Sequence, residues 1–201
     1  MAKLYFRYGT MDSAKTLQLL AVAHNYRKQG RAVLLVKPAL DDRFGTQTIR
    51  SRSGLEAPAD LLVDDASTLP LERFDGLDCV LVDEAQFLSP HIVEGLREVT
   101  RSHEVPVICY GLRTDFRGAL FPGSRRLLEL ADTIEEVKVT CQYCTRKAIM
   151  NLRLAPNGEA LATGPQVELG ADERYVPACY ACWRERLLPA REAAGLTGLW
   201  D

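Results

Sequence analysis

Leu4-Tyr5-Phe6-Arg7-Tyr8-Gly9-Thr10-Met11-Asp12-Ser13-Ala14-Lys15-Thr16 is the stretch that decides the fold. Lys3 to Tyr8 is a short β-prone run. Gly9 to Thr16 then fits the Walker A pattern of a phosphate-binding loop, except that Ala14 stands where the pattern has its second glycine. A helical pattern follows, with Leu17, Leu20, Ala21 and His24 recurring until Gly30. A strand turning through such a loop into a helix binds phosphate with its backbone. The N–H groups converge on the oxygens, Lys15 adds a point charge, and Thr16 offers a hydroxyl to Mg²⁺. Two residues fit awkwardly. Ala14 adds a methyl where backbone comes close to phosphate, and the Asp12 carboxylate has to point out of an anion cradle. Taken alone, the segment also reads as a polar turn that contains Lys-Thr.

Working outward, Ala32 to Val36 is a continuous apolar run, as expected of a strand buried on both faces. A polar, loop-rich section spans Lys37 to Ser67. Cys79-Val80-Leu81-Val82 is a second buried strand, closed by Asp83-Glu84, and Val105 to Tyr110 is a third. Pro90 to Ser102 reads as a helix with Ser89 as N-cap, and Ser124 to Ala131 as another. This alternation predicts an α/β fold: a P-loop (RecA-like), mostly parallel sheet with helices on both faces. The strand ending in Asp83 is a Walker B arrangement. Asp83 can reach the Mg²⁺ held by Thr16, and Glu84, pointing elsewhere, can accept a proton from an attacking hydroxyl or water. The bland reading is a strand that ends in acidic turn residues. Together the two motifs point to nucleoside-triphosphate binding and leave the phosphate acceptor open.

Two identical knuckles, Cys141-Gln-Tyr-Cys144 and Cys179-Tyr-Ala-Cys182, match a tetrahedral Cys₄ zinc site. A redox-active pair or unrelated buried thiols are the alternatives, and the pairing of two knuckles favours zinc. Four thiolates leave no open coordination position, so this zinc is structural. The chain therefore divides into a nucleotide-binding domain at 1–138, a small zinc-held lasso domain at 139–193 and a tail at 194–201. A hairpin is expected around Pro156-Asn157-Gly158. Cys79 and Cys109 lie in apolar runs and read as core thiols.

The 201 residues suffice for one sizeable core and a small appendage. A net charge of −2 argues against a large basic nucleic-acid surface. No apolar stretch reaches membrane-span length, and the N-terminus lacks the apolar core of a signal peptide. Free thiols beside zinc thiolates indicate a reducing compartment, so the expected location is cytoplasmic. A zinc-ribbon, nucleic-acid-stimulated ATPase is a competing reading, because Asp83-Glu84-Ala85-Gln86 matches the acidic box of RNA helicases. Against it, helicase motors use two such domains where this chain has room for one, and a net charge of −2 leaves no basic stripe for a nucleic-acid strand.

These residues resemble the thymidine kinases of the small, zinc-containing type found in bacteria and animal cytosol. The resemblance runs from Leu4 to about Trp183 and is carried by Tyr8 to Thr16, Asp41-Asp-Arg-Phe-Gly45, Ser51-Arg-Ser-Gly54 and Val82-Asp-Glu-Ala-Gln-Phe87. It continues through Tyr110 to Gly118, the two knuckles, and Gly170-Ala-Asp-Glu-Arg-Tyr175. The family moves the γ-phosphate of ATP to the 5′-hydroxyl of thymidine. The resemblance implies that Gly9, Thr10, Met11, Asp12, Ser13, Ala14, Lys15 and Thr16 hold the ATP phosphates, with Asp41 and Arg43 nearby. Asp83 would serve Mg²⁺ with Thr16, and Glu84 would be the base, with Ala85 and Gln86 lining the nucleotide site. Phe116 would stack on or wall the thymine. The lasso between the knuckles would close over the nucleoside with Gln166, Val167, Glu168, Leu169, Gly170 and Tyr175. Thymidine and ATP are thus the implied partners, with neither nucleic acid nor membrane, and the implied assembly is a homotetramer.

Bland readings stand beside these. Phe116 can be a core aromatic and Tyr175 a loop residue packed on the knuckle. Arg113 and Arg117 can neutralise phosphate or be solvated loop charges. His24 reads as structural, His91 and His103 carry no motif, and Asp64-Asp65 reads as a solvated acidic turn. Ala14 also allows a weakly active nucleoside-binding relative.

Overall fold

The computed structural model describes residues 1–41, 47–66, 68–166 and 174–196. In chain order the elements are β1 (Leu4–Tyr8), α1 (Lys15–Lys28), β2 (Val33–Pro38), β3 (Thr48–Arg50), β4 (Glu56–Pro58) and β5 (Leu61–Val63). Then follow β6 (Cys79–Val82), α2 (Pro90–Ser102), β7 (Val107–Gly111), α3 (Pro122–Leu130), β8 (Thr133–Glu136), β9 (Met150–Leu154), β10 (Arg174–Ala178) and α4 (Tyr180–Ala193). Six strands form one sheet in the order β5-β2-β6-β7-β1-β8, and every pair in it is parallel.

The apolar strands are continuous because both sheet faces are covered. Along β6, Val80 and Val82 join Phe6, Val36 and Val107 under α2 and α3, whereas Cys79 and Leu81 join Leu35 and Ile108 under α1. Each such fully buried side chain contributes about 1.5–3 kcal/mol of transfer free energy. Parallel strands deliver all their carboxyl ends to one edge, so the loop after β1 and the acidic end of β6 meet there, with β7 between them.

The remaining chain builds a second, smaller core. β9 and β10 pair antiparallel, with Leu152 opposite Val176 and Met150 opposite Ala178. Leu152, Ala178, Trp183 and Leu187 bury against one another beside the knuckle cysteines.

Several expectations need correction. On α1 the buried residues are Leu19, Leu20 and Ala23, while Ala21 and His24 are exposed; His24 has no structural burial. Ser89 occupies the N-cap of α2, but its hydroxyl bonds the His91 ring at 2.9 Å instead of capping the helix. The loop-rich section contains the β3–β4 hairpin and the edge strand β5, which at three residues each are too short to show period-two patterning. The turn at Pro156 to Gly158 forms, with Ala155 N–H donating to Glu159 at 2.9 Å. Beyond the turn Leu154 bridges Ala160 antiparallel and Leu161 N–H donates to Arg153 at 2.8 Å, so the expected hairpin forms, while the longer ladder of β9 is with the distant β10.

Candidate active site and metal centre

The loop from Gly9 to Ala14 leaves β1 and enters α1 through two left-handed residues, Asp12 at φ 61° and Ala14 at φ 64°. Glycine takes that conformation at no steric cost, so the departure at Ala14 loads the backbone by about 1–2 kcal/mol. Ala14 is itself exposed at the cleft surface; the cost therefore falls on conformation and not on packing. Lys15 turns back into the loop, donating to the Thr10 carbonyl at 2.7 Å and the Ser13 hydroxyl at 3.3 Å. Burial brings its pKa down to about 8, against the pull of the Glu84 and Asp83 carboxylates. The buried Thr10 hydroxyl oxygen has no hydrogen-bond partner among the described residues, and nothing in the structure accounts for it.

Opposite the loop, the Thr16 hydroxyl lies 3.1 and 3.2 Å from the two carboxylate oxygens of Asp83. Burial, and then the neighbouring Glu84 charge, raise Asp83 to about 7; the Thr16 hydroxyl and the Glu84 N–H act the other way. A hydroxyl and a carboxylate so placed are the donor set of a hard divalent cation that keeps most of its waters. Glu84 follows in a left-handed conformation, φ 47° and ψ 39°, a strain characteristic of functional sites. Gln86 fixes its side chain. The Gln86 amide nitrogen donates to Glu84 at 2.5 Å, and the amide oxygen accepts from Leu112 N–H at 2.9 Å. Gly111 makes room for this, since a Cβ there would meet the Gln86 amide oxygen at 2.8 Å.

A cleft of about 240 Å³ opens between the loop, the end of β6 and the β3–β4 hairpin. Asp41 lines it, paired at 3.5 Å with Lys37, a lysine only 1% exposed that also donates to the Thr48 carbonyl at 2.9 Å. From the hairpin turn, Arg52 pairs with Asp12. Arg43 lies outside the described residues.

The four knuckle sulfurs lie within 4.8 Å of one another. Cys144 is 3.7 Å from Cys179 and 3.8 Å from Cys182. A tetrahedron of thiolates at the usual zinc–sulfur distance has edges of about 3.8 Å, so this set fits a metal ion. The thiols ionise unequally. Burial resists ionisation of Cys141, but N–H groups of Cys179 and Tyr143 outweigh it and bring the thiol to about 7. Bonding to Cys179 holds Cys182 up at about 12. Four sulfurs this close cannot all carry charge without a cation between them.

The thymidine kinase family model matches residues 2–183. A thymidine kinase of Ruegeria pomeroyi is 47% identical over 92% of this chain and 95% of its own. One from Xanthomonas oryzae pv. oryzae is 49% identical over 88% and 86%. The chain belongs to the thymidine kinase family. It is thus a nucleoside kinase, a phosphotransferase. Among solved structures, a Bacteroides Pif1 helicase bound to single-stranded DNA matches 67% of this chain and 38% of its own. At a TM-score of 0.38 and 21% identity, that likeness has no bearing on function.

The kinase family membership directs attention to the nucleoside side. Phe116 is 1% exposed, with the guanidinium groups of Arg153 and Arg117 at 5.1 and 5.4 Å from its ring centre. Its carbonyl accepts from the Trp183 indole at 2.9 Å, so the small module clasps it. Gln166 donates to Asp115 at 3.1 Å, and Tyr175 sits on β10 opposite Arg153. Val167, Glu168, Leu169 and Gly170 lie outside the described residues. Arg113 and Arg117 both have protein partners: Arg113 lies over the Tyr8 ring and bonds the Ile149 carbonyl, and Arg117 pairs with Asp115 at 3.0 Å.

Sequence reasoning missed Lys37, Asn151 and Arg153, and gave no role to Arg52 and Asp115, which lie inside segments that carry the resemblance. Asn151 is the most consequential for the architecture. Its amide oxygen accepts from Met11 N–H at 2.8 Å and its nitrogen donates to the Thr114 carbonyl at 3.2 Å, joining β9 to the phosphate loop. The available signal was a polar residue inside the apolar run Ile149-Met150-Asn151-Leu152.

Proposed function

We propose that this chain transfers the γ-phosphate of ATP to the 5′-hydroxyl of thymidine, giving thymidine monophosphate and ADP. The observation that carries the reading is the convergence of Lys15, Thr16, Asp83 and Glu84 on one cleft at the carboxyl edge of the sheet. Gly9 to Thr16 hold the triphosphate with backbone N–H groups and the Lys15 ammonium, with Asp41, Arg43 and Ala85 close by. Thr16 and Asp83 would hold Mg²⁺, which neutralises charge on the β- and γ-oxygens when bound. Glu84, aimed by Gln86, accepts the 5′-hydroxyl proton as that oxygen attacks phosphorus. Positioning and charge neutralisation do most of the work, because the phosphoryl group itself needs little covalent help.

Residues 1–138 form the nucleotide-binding unit and 139–193 the lasso unit, with 194–201 a tail. Cys141, Cys144, Cys179 and Cys182 would hold a structural zinc that pins both ends of the lasso. Gln166 to Gly170 and Tyr175 close over the nucleoside and exclude water, and Phe116 walls the base from behind. The resemblance supports a cytoplasmic homotetramer that needs neither nucleic acid nor membrane.

Glu84→Gln tests the chemistry. It keeps the side chain's volume and removes its basicity, so MgATP and thymidine binding should stay within about twofold while kcat falls on the order of 10²-fold or more. An unchanged kcat removes Glu84 from the role of base.

A further inference from the structure

Asp12 is out of place in a phosphate loop, since a carboxylate in an anion cradle repels the ligand. The structure supplies its partner. Arg52, at the turn of the β3–β4 hairpin, lines the same cleft as Lys15 and Thr16 and forms an ion pair with Asp12 across it. We propose that Arg52 is a second cationic ligand of the ATP triphosphate, parked on Asp12 until nucleotide enters. This rests on the reading of the cleft as the ATP site.

Three features carry the assignment. The first is placement on a firm support. Ile49 is 1% exposed and packs in the core that α1 covers. Buried Lys37 holds the Thr48 carbonyl at 2.9 Å. The turn is closed by Ser51 N–H to Leu55 at 2.8 Å and Gly54 N–H to Ser51 at 3.0 Å. The second is availability. The Arg52 side chain is 59% exposed and that of Asp12 38%; pairs this open hold weakly, and phosphate oxygens displace them readily. Arg50 lines the cleft as well, but its partner is Glu56 on its own hairpin at 3.7 Å, whereas Arg52 reaches across to the phosphate loop. The third is charge. Asp12, Asp41, Asp83 and Glu84 all line the cleft, against Lys15, Arg50 and Arg52 as its cations among the described residues, so a triphosphate with about four negative charges favours a cation that can turn from Asp12 to phosphate. A guanidinium binds two phosphate oxygens at once, which an ammonium does not.

Calorimetric titration of MgATP, MgADP and AMP into the zinc-loaded full chain and its R52A, R52K and D12N variants decides the matter. R52A should weaken MgATP on the order of tenfold, as for one lost charge-assisted contact. AMP, which lacks the outer phosphates, should change by about twofold or less, and R52K should restore part of the MgATP loss. D12N frees the arginine and should bind MgATP at least as tightly as the unmodified chain. A purely bracing role for the pair predicts otherwise: D12N and R52A would weaken MgATP equally, or R52A would weaken AMP as much as MgATP. Either result, or unchanged MgATP binding in R52A, overturns the inference and leaves the ATP site standing. Failure of the unmodified chain to bind MgATP at all removes the site itself.

Discussion

Backbone strain is concentrated among the residues that line the cleft. Ala14 and Glu84 both adopt left-handed backbone, and both border the cleft. Glu84 keeps its conformation under the hold of Gln86, whereas Ala14 gains nothing evident from its methyl group. Ala14→Gly relieves the strain and loses part of that gain to the freer unfolded chain. The variant should unfold at a temperature a few degrees higher, with a net stabilisation of about 0.5–1 kcal/mol, and bind MgATP no more weakly. Weaker binding would mean that the methyl contributes to the loop's shape. Lys15 makes a second prediction at this scale. Its protonated form binds phosphate, and in the unliganded chain it loses its proton near pH 8. MgATP affinity should therefore fall about tenfold between pH 7 and pH 9, measured by titration calorimetry. The stability of the unliganded chain runs the other way. Below about 8 the buried charge is a fixed cost. Between 8 and the ordinary lysine value of 10.5 the unfolded state binds more protons, so stability rises with pH there. A flat affinity profile would show that Lys15 stays charged throughout.

Among the elements, the sheet was legible because burial on both faces writes itself as apolar runs: Val33 to Val36, Cys79 to Val82 and Val107 to Tyr110 admit little else. The β3–β4 hairpin was not, since three-residue strands with charged ends show no period. Nor was the pairing of β9 with β10, which depends on bringing together two cysteine knuckles that are distant in sequence. Their meeting has a measurable consequence. Trp183 belongs to the small core, lies one residue beyond Cys182, and donates its indole N–H to Phe116. Stripping the metal, or replacing Cys141 with Ser, should free Trp183 and expose it to water. In a Trp200→Phe background, emission should shift to the red and thymidine affinity fall before MgATP affinity does. Simultaneous loss of both affinities would mean that the metal supports the whole fold.

Across the whole molecule, several contacts join the small core to the sheet, among them Arg113 to the Ile149 carbonyl and Gln166 to Asp115. Asn151 grips the Met11 amide from β9, and Trp183 grips Phe116 from α4, so the small core also braces the loop that follows β1. Cysteine spacing made the module itself visible in the sequence. Its contacts with the phosphate loop stayed hidden because a single asparagine has no pattern. The catalytic cleft was visible for the opposite reason: Lys15-Thr16 and Asp83-Glu84 follow strands whose carboxyl ends the fold must bring together. The hairpin that contributes Arg52 to the cleft became apparent only in three dimensions.

The central claim is that this cleft and module together phosphorylate thymidine. A steady-state assay of the metal-analysed protein with MgATP and a panel of thymidine, deoxyuridine, cytidine and purine nucleosides tests it most directly. The account predicts thymidine monophosphate well in excess of cytidine and purine products, with about one zinc per chain. ATP hydrolysis stimulated by nucleic acid, without any nucleoside product, would contradict it.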